Sequence, residues 1–493
     1  MPLNKWNSKN DIQKLGHLAV WAAPFVGTAF LFWYIKSATR DIVYSDYIRL
    51  INSYIPDTLS KDSFLVSDIL TRIPVTYPIR WLNVKLFAYS VDFDRMLGLL
   101  GVFLMMLMMS LYLKRESVGV PAFLAIIITG FSLNKWELLI NGSGYPHFLS
   151  YGLFFYNYLV FERVFTGTKR TYDVLKLFLI PYTALLLAGP YIVQFCAALI
   201  AAALYTVFIK NRNVDRKQML FYAITTVIPI LLFLWSNSTA VYEHNISEQR
   251  SVIDVVTKEA GFTLHFMLNG FASELLDGSG WETMLSSGAI GYKVIYAVGA
   301  LMVLLYVYAI FLYFQKGIYL RTVFPLLLVV SGLLSHLLVF LSRYLYLVET
   351  YAWQSRYSLQ YLPGVLGILI IYGKVSKEYI DKHYRRKKGE KRTTTYREDG
   401  SKLVLMNILP AVTAFTIFIA CMTGSLATDL REINNAPFRK IYFESMENAA
   451  LNTDNYTDDE LNHIFEYNHG AGKVREAFSI LRDNRLNIFS ERH

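Results

Sequence analysis

Cysteine is nearly missing from this 493-residue chain: the two present, Cys196 and Cys421, both lie inside apolar runs. That excludes a disulfide framework and a thiolate metal site. Charge is also scarce, at 17% of residues against 54% hydrophobic, where an ordinary soluble chain carries about 25% charged residues. Long uncharged runs recur from end to end, and the only backbone that satisfies its own polar groups in lipid over such runs is the helix. The class expected is therefore an all-α polytopic membrane protein. The chain has no Gly-rich phosphate loop, no defensible repeat and no soluble stretch large enough to be an independent enzyme. The net charge of +10 is not a nucleic-acid footprint, because the Lys and Arg residues gather in short loops between apolar runs, and no nucleic-acid partner is expected. The first apolar run, from about His17 to Tyr34, lacks a small-residue cleavage site and is read as a retained span.

About eleven spans are expected, at 17–36, 95–113, 118–133, 147–165, 173–188, 191–209, 218–236, 289–314, 321–341, 359–375 and 403–422. With the N-terminus cytoplasmic, every inside loop is basic. Lys114 and Arg115 fall in one such loop, Lys210, Arg212, Arg216 and Lys217 in another, and the run 374–402 holds Arg385-Arg386-Lys387-Lys388. Of the short outside loops, the one at Gly189-Pro190 has no Lys or Arg, and the one at 134–146 has only Lys135. The positive-inside rule therefore sets a multi-pass cell-membrane orientation with an extracytoplasmic C-terminus. The division expected is a transmembrane domain over 1–422 and an extracytoplasmic helical tail over 423–493. The first outside loop is 37–94, and 374–402 forms a basic cytoplasmic loop held near anionic lipid.

Long irregular sequence then falls almost entirely outside, at 37–94, 237–288, 342–358 and 423–493, and function is to be sought there. In the first of these loops Tyr44, Tyr47, Ile48, Ile51, Tyr54 and Ile55 share one side of a helical wheel. Ser45, Asp46, Arg49, Asn52 and Ser53 share the other. The pattern predicts an amphipathic surface helix, its aromatic face at the headgroup boundary and its polar face towards water or a site. Asp46 sits in its first turn, where the helix dipole favours an ionised carboxylate; an ordinary connector with a solvated Asp competes with that reading. In the tail, Val474, Phe478 and Leu481 repeat at helical spacing and predict a small docked helix.

Three outside loops carry unusual polar residues beside span ends. They are the helix with Asp41 and Asp46, the loop with Trp136, Glu137 and His147, and the segment Glu349 to Tyr357 with Trp353 and Arg356. Each alone is explained by side chains snorkelling to water. Together they offer carboxylates for proton abstraction, an arginine for an anion and rings able to stack on a sugar or headgroup. No Asp, Glu, His or Cys cluster of ligand spacing indicates a metal, and no cofactor is expected.

Tyr44-Ser45-Asp46-Tyr47, Phe131-Ser132 with Trp136-Glu137 and Gly142, and Ser355-Arg356-Tyr357 together resemble motifs of the multi-span GT-C-fold glycosyltransferases that use polyprenyl-phosphate-linked donors. The likeness covers most of the chain. It implies a GT-C-like arrangement with surface helices in the first outside loop. The activity implied is transfer of a sugar from a polyprenyl-phosphate carrier to a cell-envelope glycan or lipid acceptor at the membrane. It further implies Asp46 or Asp41 as the base, Arg356 and Tyr357 at the donor phosphate, and Glu137, Trp136, Trp353 and His147 around acceptor or sugar. Ser45 stands where the commoner signature has a second acid, so the choice between Asp46 and Asp41 stays open. Rival classes are a transporter or flippase of lipid-linked glycans, a lipid-linked polysaccharide polymerase or ligase, and a non-catalytic scaffold whose polar loops do not converge. The orientation yields the first prediction: a cysteine replacing Asn452 reacts with a membrane-impermeant maleimide in intact cells, and reaction only after the cytoplasm is opened reverses the topology.

Overall fold

The computed structural model describes residues 8–55, 76–187, 191–209, 215–238, 250–387 and 400–491. Among these residues every regular element is helical. The first half runs α1 (Ser8–Ala38), α2 (Asp46–Tyr54), α3 (Thr76–Phe87), α4 (Val91–Arg115), α5 (Val120–Phe131), α6 (Trp136–Asn141), α7 (Tyr145–Phe165), α8 (Asp173–Leu187), α9 (Val193–Ala203) and α10 (Arg216–Ser238). The second half runs α11 (Val252–Lys258), α12 (Ala260–Ala272), α13 (Gly278–Ser286), α14 (Tyr292–Gln315), α15 (Phe324–Arg343), α16 (Ser358–Lys387), α17 (Gly400–Leu451), α18 (Asp458–Ile464) and α19 (Lys473–Asp483). Proline opens α5, α7 and α15 in their first turn, where its missing N–H costs nothing.

Among the described residues eight helices are long and apolar enough to cross a membrane: Leu18–Ala38, Val91–Arg115, Val120–Asn141, Arg216–Trp235, Tyr292–Gln315, Phe324–Tyr346, Ser355–Asp381 and Ile408–Leu451. The protein is thus a multi-pass membrane protein by helix length and composition. The other three expected spans fall on α7, α8 and α9, which are helical but shorter or less apolar. For α7 the physical reason is visible. Protein surrounds it, its Asn157 donates to the Tyr222 hydroxyl at 3.0 Å, and its Glu162 is fully buried, so polar groups find partners that lipid does not supply. Glu162 accepts from Arg115 at 2.7 Å and from the Val323 and Phe324 N–H groups at 2.7 and 2.9 Å, which caps the start of α15.

Close approach of backbones holds the bundle together. A side chain at Gly101 of α4 would place its Cβ 2.3 Å from the Phe148 carbonyl carbon of α7, and one at Gly332 of α15 would come 2.4 Å from the Gly364 Cα of α16.

Two differences from the sequence reading bear on the site. The aromatic face of α2 does not lie among headgroups: Tyr44, Tyr47, Ile48 and Ile51 are buried in protein, against Phe443 of α17, Tyr89 and the tail helix α19. A period of 3.6 reveals a face that is covered without revealing what covers it. The Tyr54 side chain lies outside the described residues, as do 56–75 of the first loop and 388–399 of the basic run. Second, the boundary expected at 422–423 falls inside α17, which is 52 residues long in all, about 78 Å at 1.5 Å per residue. Beyond the apolar part, Glu432 is fully buried and accepts from Arg439 at 2.7 Å, Arg431 at 3.2 Å and Tyr34 of α1 at 3.3 Å.

The packing generates the second prediction. Gly101→Val lowers the thermal unfolding midpoint of the purified chain, at a cost of about 1–3 kcal/mol or more from overpacking; an unchanged midpoint refutes the close α4–α7 contact.

Candidate functional site

At one end of the bundle the loops enclose a cavity of about 750 Å³. Its walls come from segments far apart in sequence. The α2 start supplies Asp46 and Arg49, α3 Arg80, α6 and the stretch into the first turn of α7 Trp136 to His147, α15 Arg343, the short turn before α16 Arg356 and Tyr357, α17 Arg439 and Tyr442, and the tail Glu466 and His469. Five arginines and four carboxylates face it among the described residues, so an anion finds several fixed cations and a polar acceptor finds both signs.

Of the eight residues singled out from sequence, Asp46, Trp136, Glu137, His147, Arg356 and Tyr357 line this one cavity. Asp46 is exposed to it. Glu137 and Arg356 form an ion pair at 3.0 Å, and the Glu137 N–H donates to the Ser355 hydroxyl at 3.2 Å, so the two loops register against each other. Tyr357 is buried, and its hydroxyl accepts from the Arg343 guanidinium; the ring thereby positions a second arginine. Trp136 carries the Arg439 guanidinium over its ring, 3.4 Å from the centroid. His147 meets the Tyr191 ring edge-on at 5.2 Å between ring centres, and its Nδ1 is buried without a hydrogen bond.

The other two lie elsewhere. Asp41 accepts from the Ser90 hydroxyl at 2.7 Å and from the Val91 and Asp92 N–H groups at 2.6 and 3.2 Å, so its carboxylate caps α4 and does not line the cavity. Trp353 is 1% exposed and packs with Ala272, Trp281 and Ile295 in a satellite core, which leaves no face for a sugar. Both were singled out because a carboxylate in an outside loop and a tryptophan beside a span end look alike whether they serve a site or the fold.

The Phe131-Ser132 stretch is structural. Asp429 of α17 accepts from the Ser132 hydroxyl at 3.0 Å and the Leu133 N–H at 2.6 Å, and the buried Lys135 ammonium donates to the Ser132 carbonyl at 2.6 Å. This tie fixes the loop from which Trp136 and Glu137 project.

Sequence reading missed Arg343, Arg439 and Glu466. Arg343 had a signal, as the cation ending an apolar run; Arg439 and Glu466 had none, because their place depends on how α17 and the tail fold back. The Glu466 carboxyl is pushed up from the usual range, first by burial and then by the neighbouring Glu137 charge, against the pull of Arg439 and Arg356. Among the described residues no group of three or more His, Cys, Asp or Glu side chains is arranged to hold a metal ion. No protein-family model, curated protein or solved structure matches this chain.

The third prediction separates the two aspartates. Asp41→Ala removes the cap of α4 and lowers stability by about 1–2 kcal/mol, whereas Asp46→Asn leaves the unfolding midpoint where it was. Thermal unfolding in detergent reads both. Equal midpoints for Asp41→Ala and wild type contradict the capping role.

Proposed function

We propose that this chain is a GT-C-like integral membrane glycosyltransferase with about eleven spans, working on the extracytoplasmic face. In this reading it moves a sugar from a polyprenyl-phosphate carrier to a cell-envelope acceptor. The observation that carries the reading is the convergence of Asp46, Glu137 and Arg356 from three distant loops on one cavity. A scaffold has no need to gather a carboxylate, an ion pair and aromatic rings around one cavity.

The chemistry follows from the side chains. A site outside the cytoplasm has no nucleotide-sugar supply, so its donor arrives on a lipid, and the leaving group is a polyprenyl phosphate. Asp46 takes the proton of the acceptor hydroxyl as its oxygen bonds to the anomeric carbon, while the bond from that carbon to the phosphate oxygen breaks and the phosphate keeps the electron pair. The growing charge needs fixed cations. Arg356 offers a two-pronged fork and Arg343, held by Tyr357, a second. Glu137 pairs with Arg356; a donor phosphate exchanges for that carboxylate and frees it to face the acceptor.

One observation favours the transporter reading. His336 Nε2 and Glu274 Oε1 form a buried contact at 3.0 Å, to which Tyr306 donates at 2.7 Å, and ionisable groups buried among spans recur on proton and ion pathways. A transporter with this pair translocates lipid-linked glycan without making a glycosidic bond.

The fourth prediction uses a radiolabelled polyprenyl-phosphate sugar in membranes. Asp46→Asn binds donor as wild type does but turns over 10² to 10⁴ more slowly, on the order expected for losing a general base. Arg356→Lys loses both donor affinity and turnover, and Arg356→Ala more. Transfer at the wild-type rate by Asp46→Asn removes the base and with it this mechanism.

A further inference from the structure

The tail after α17 does more than dock. The Ser45 N–H donates to the Phe465 carbonyl at 2.8 Å, Asn52 Nδ2 to the Lys473 carbonyl at 2.9 Å, and Asn487 N–H and Nδ2 to the Ala88 and Tyr89 carbonyls at 2.6 and 3.1 Å. Tyr442 of α17, itself a cavity residue, donates to the Ile464 carbonyl at 3.0 Å. These bonds fasten residues 464–487 across the first loop and bring Glu466 and His469 to the cavity.

The bond from Ser45 to Phe465 has cavity residues on both sides. Asp46 follows one partner and Glu466 the other, so two carboxylates from opposite ends of the chain stand next to one hydrogen bond. Ser45 sits at φ 52°, ψ −124°, and Glu466 at φ 51°, left-handed values that cost a residue with a Cβ about 1–3 kcal/mol each. Such backbone persists where surrounding contacts over-determine it, and here it aims both side chains at the same space.

We propose that Glu466 is the group that holds the acceptor, and that the acceptor is a glycan hydroxyl group presented from the aqueous side. The assignment rests on the transferase reading above and names the acceptor class of that same site. The donor's cations, Arg343 and Arg356, stand on α15 and in the turn before α16, in a cavity that Leu338 of α15 and Tyr191 also line, where a lipid chain finds apolar contact. The wall of α2, α17 and the tail presents Asp46, Tyr442, Glu466 and His469, a set suited to sugar hydroxyls and a ring face and poorly suited to an acyl chain. The two oxygens of the Glu466 carboxyl can accept from neighbouring hydroxyls of one sugar.

The test uses the full chain in nanodiscs, with a radiolabelled polyprenyl-phosphate hexose as donor and a titrated membrane-glycan extract as acceptor. Glu466→Ala raises the acceptor KM at least about 10-fold, with kcat and donor binding within about 3-fold of wild type. Asp483→Asn, on the exposed side of α19, changes neither and controls for disturbance of the tail. Glu466→Gln, which keeps a hydrogen-bonding group of the same size at this position, holds the acceptor KM within about 3-fold of wild type, a rescue that a merely structural loss in Glu466→Ala would not show. An active wild type with unchanged KM in Glu466→Ala overturns the assignment alone. A wild type that makes no product overturns the transferase reading and the assignment together.

Discussion

The buried carboxylate of Glu432 fixes where the far half of α17 goes, and much of the cavity follows from it. An unpaired charge there would be prohibitive; with Arg431, Arg439 and Tyr34 around it the charge is satisfied, and breaking such a set by removing one partner costs about 3–5 kcal/mol. The same contacts tie α17 to α1, aim Arg439 at Trp136 and, through Arg431, reach Asp277 at the start of α13. Arg439 thus serves both as a strut and as a cavity wall.

The ion pair between Arg356 and Glu137 behaves differently because of its surroundings. Its side chains are 45% and 32% exposed, and a pair so hydrated is worth about 0–1 kcal/mol. Exchanging Glu137 for an incoming anion therefore costs little, whereas the Glu432 set resists exchange. Burial alone separates the ion pairs that build the frame from the one suited to a ligand.

The same distinction explains what sequence reveals. Apolar runs located the helices, since each had to satisfy its own backbone, and α7 fell short on hydropathy because protein and not lipid covers it. Asp46, Glu137 and Arg356 were legible as charges beside span ends, and they converge. Asp41 and Trp353 carried the same local signal yet serve as helix cap and core filler. Nothing within a few residues of a side chain says which group several hundred positions away will meet it. Glu466 and Arg439 show the converse: their positions follow from α17 running past its apolar part and from the tail folding back, and neither has a local signature. The aromatic stripe of α2 was real, but its partner was α19 and Phe443 instead of a bilayer.

The bond from Ser45 to Phe465 also sets a schedule for assembly. Some 420 residues separate its partners, and at ribosomal speeds of about 5–20 residues per second the first loop waits roughly 20–80 s for the segment that completes it. During that interval the earlier helices are already inserted, while the polar wall of α2 has no lid and its apolar face lies uncovered. Maturation therefore comes last and all at once: a chain stopped by a late nonsense codon keeps its helices in the bilayer but has no finished pocket, and quality control meets an exposed stripe of tyrosine and isoleucine where the missing tail belonged.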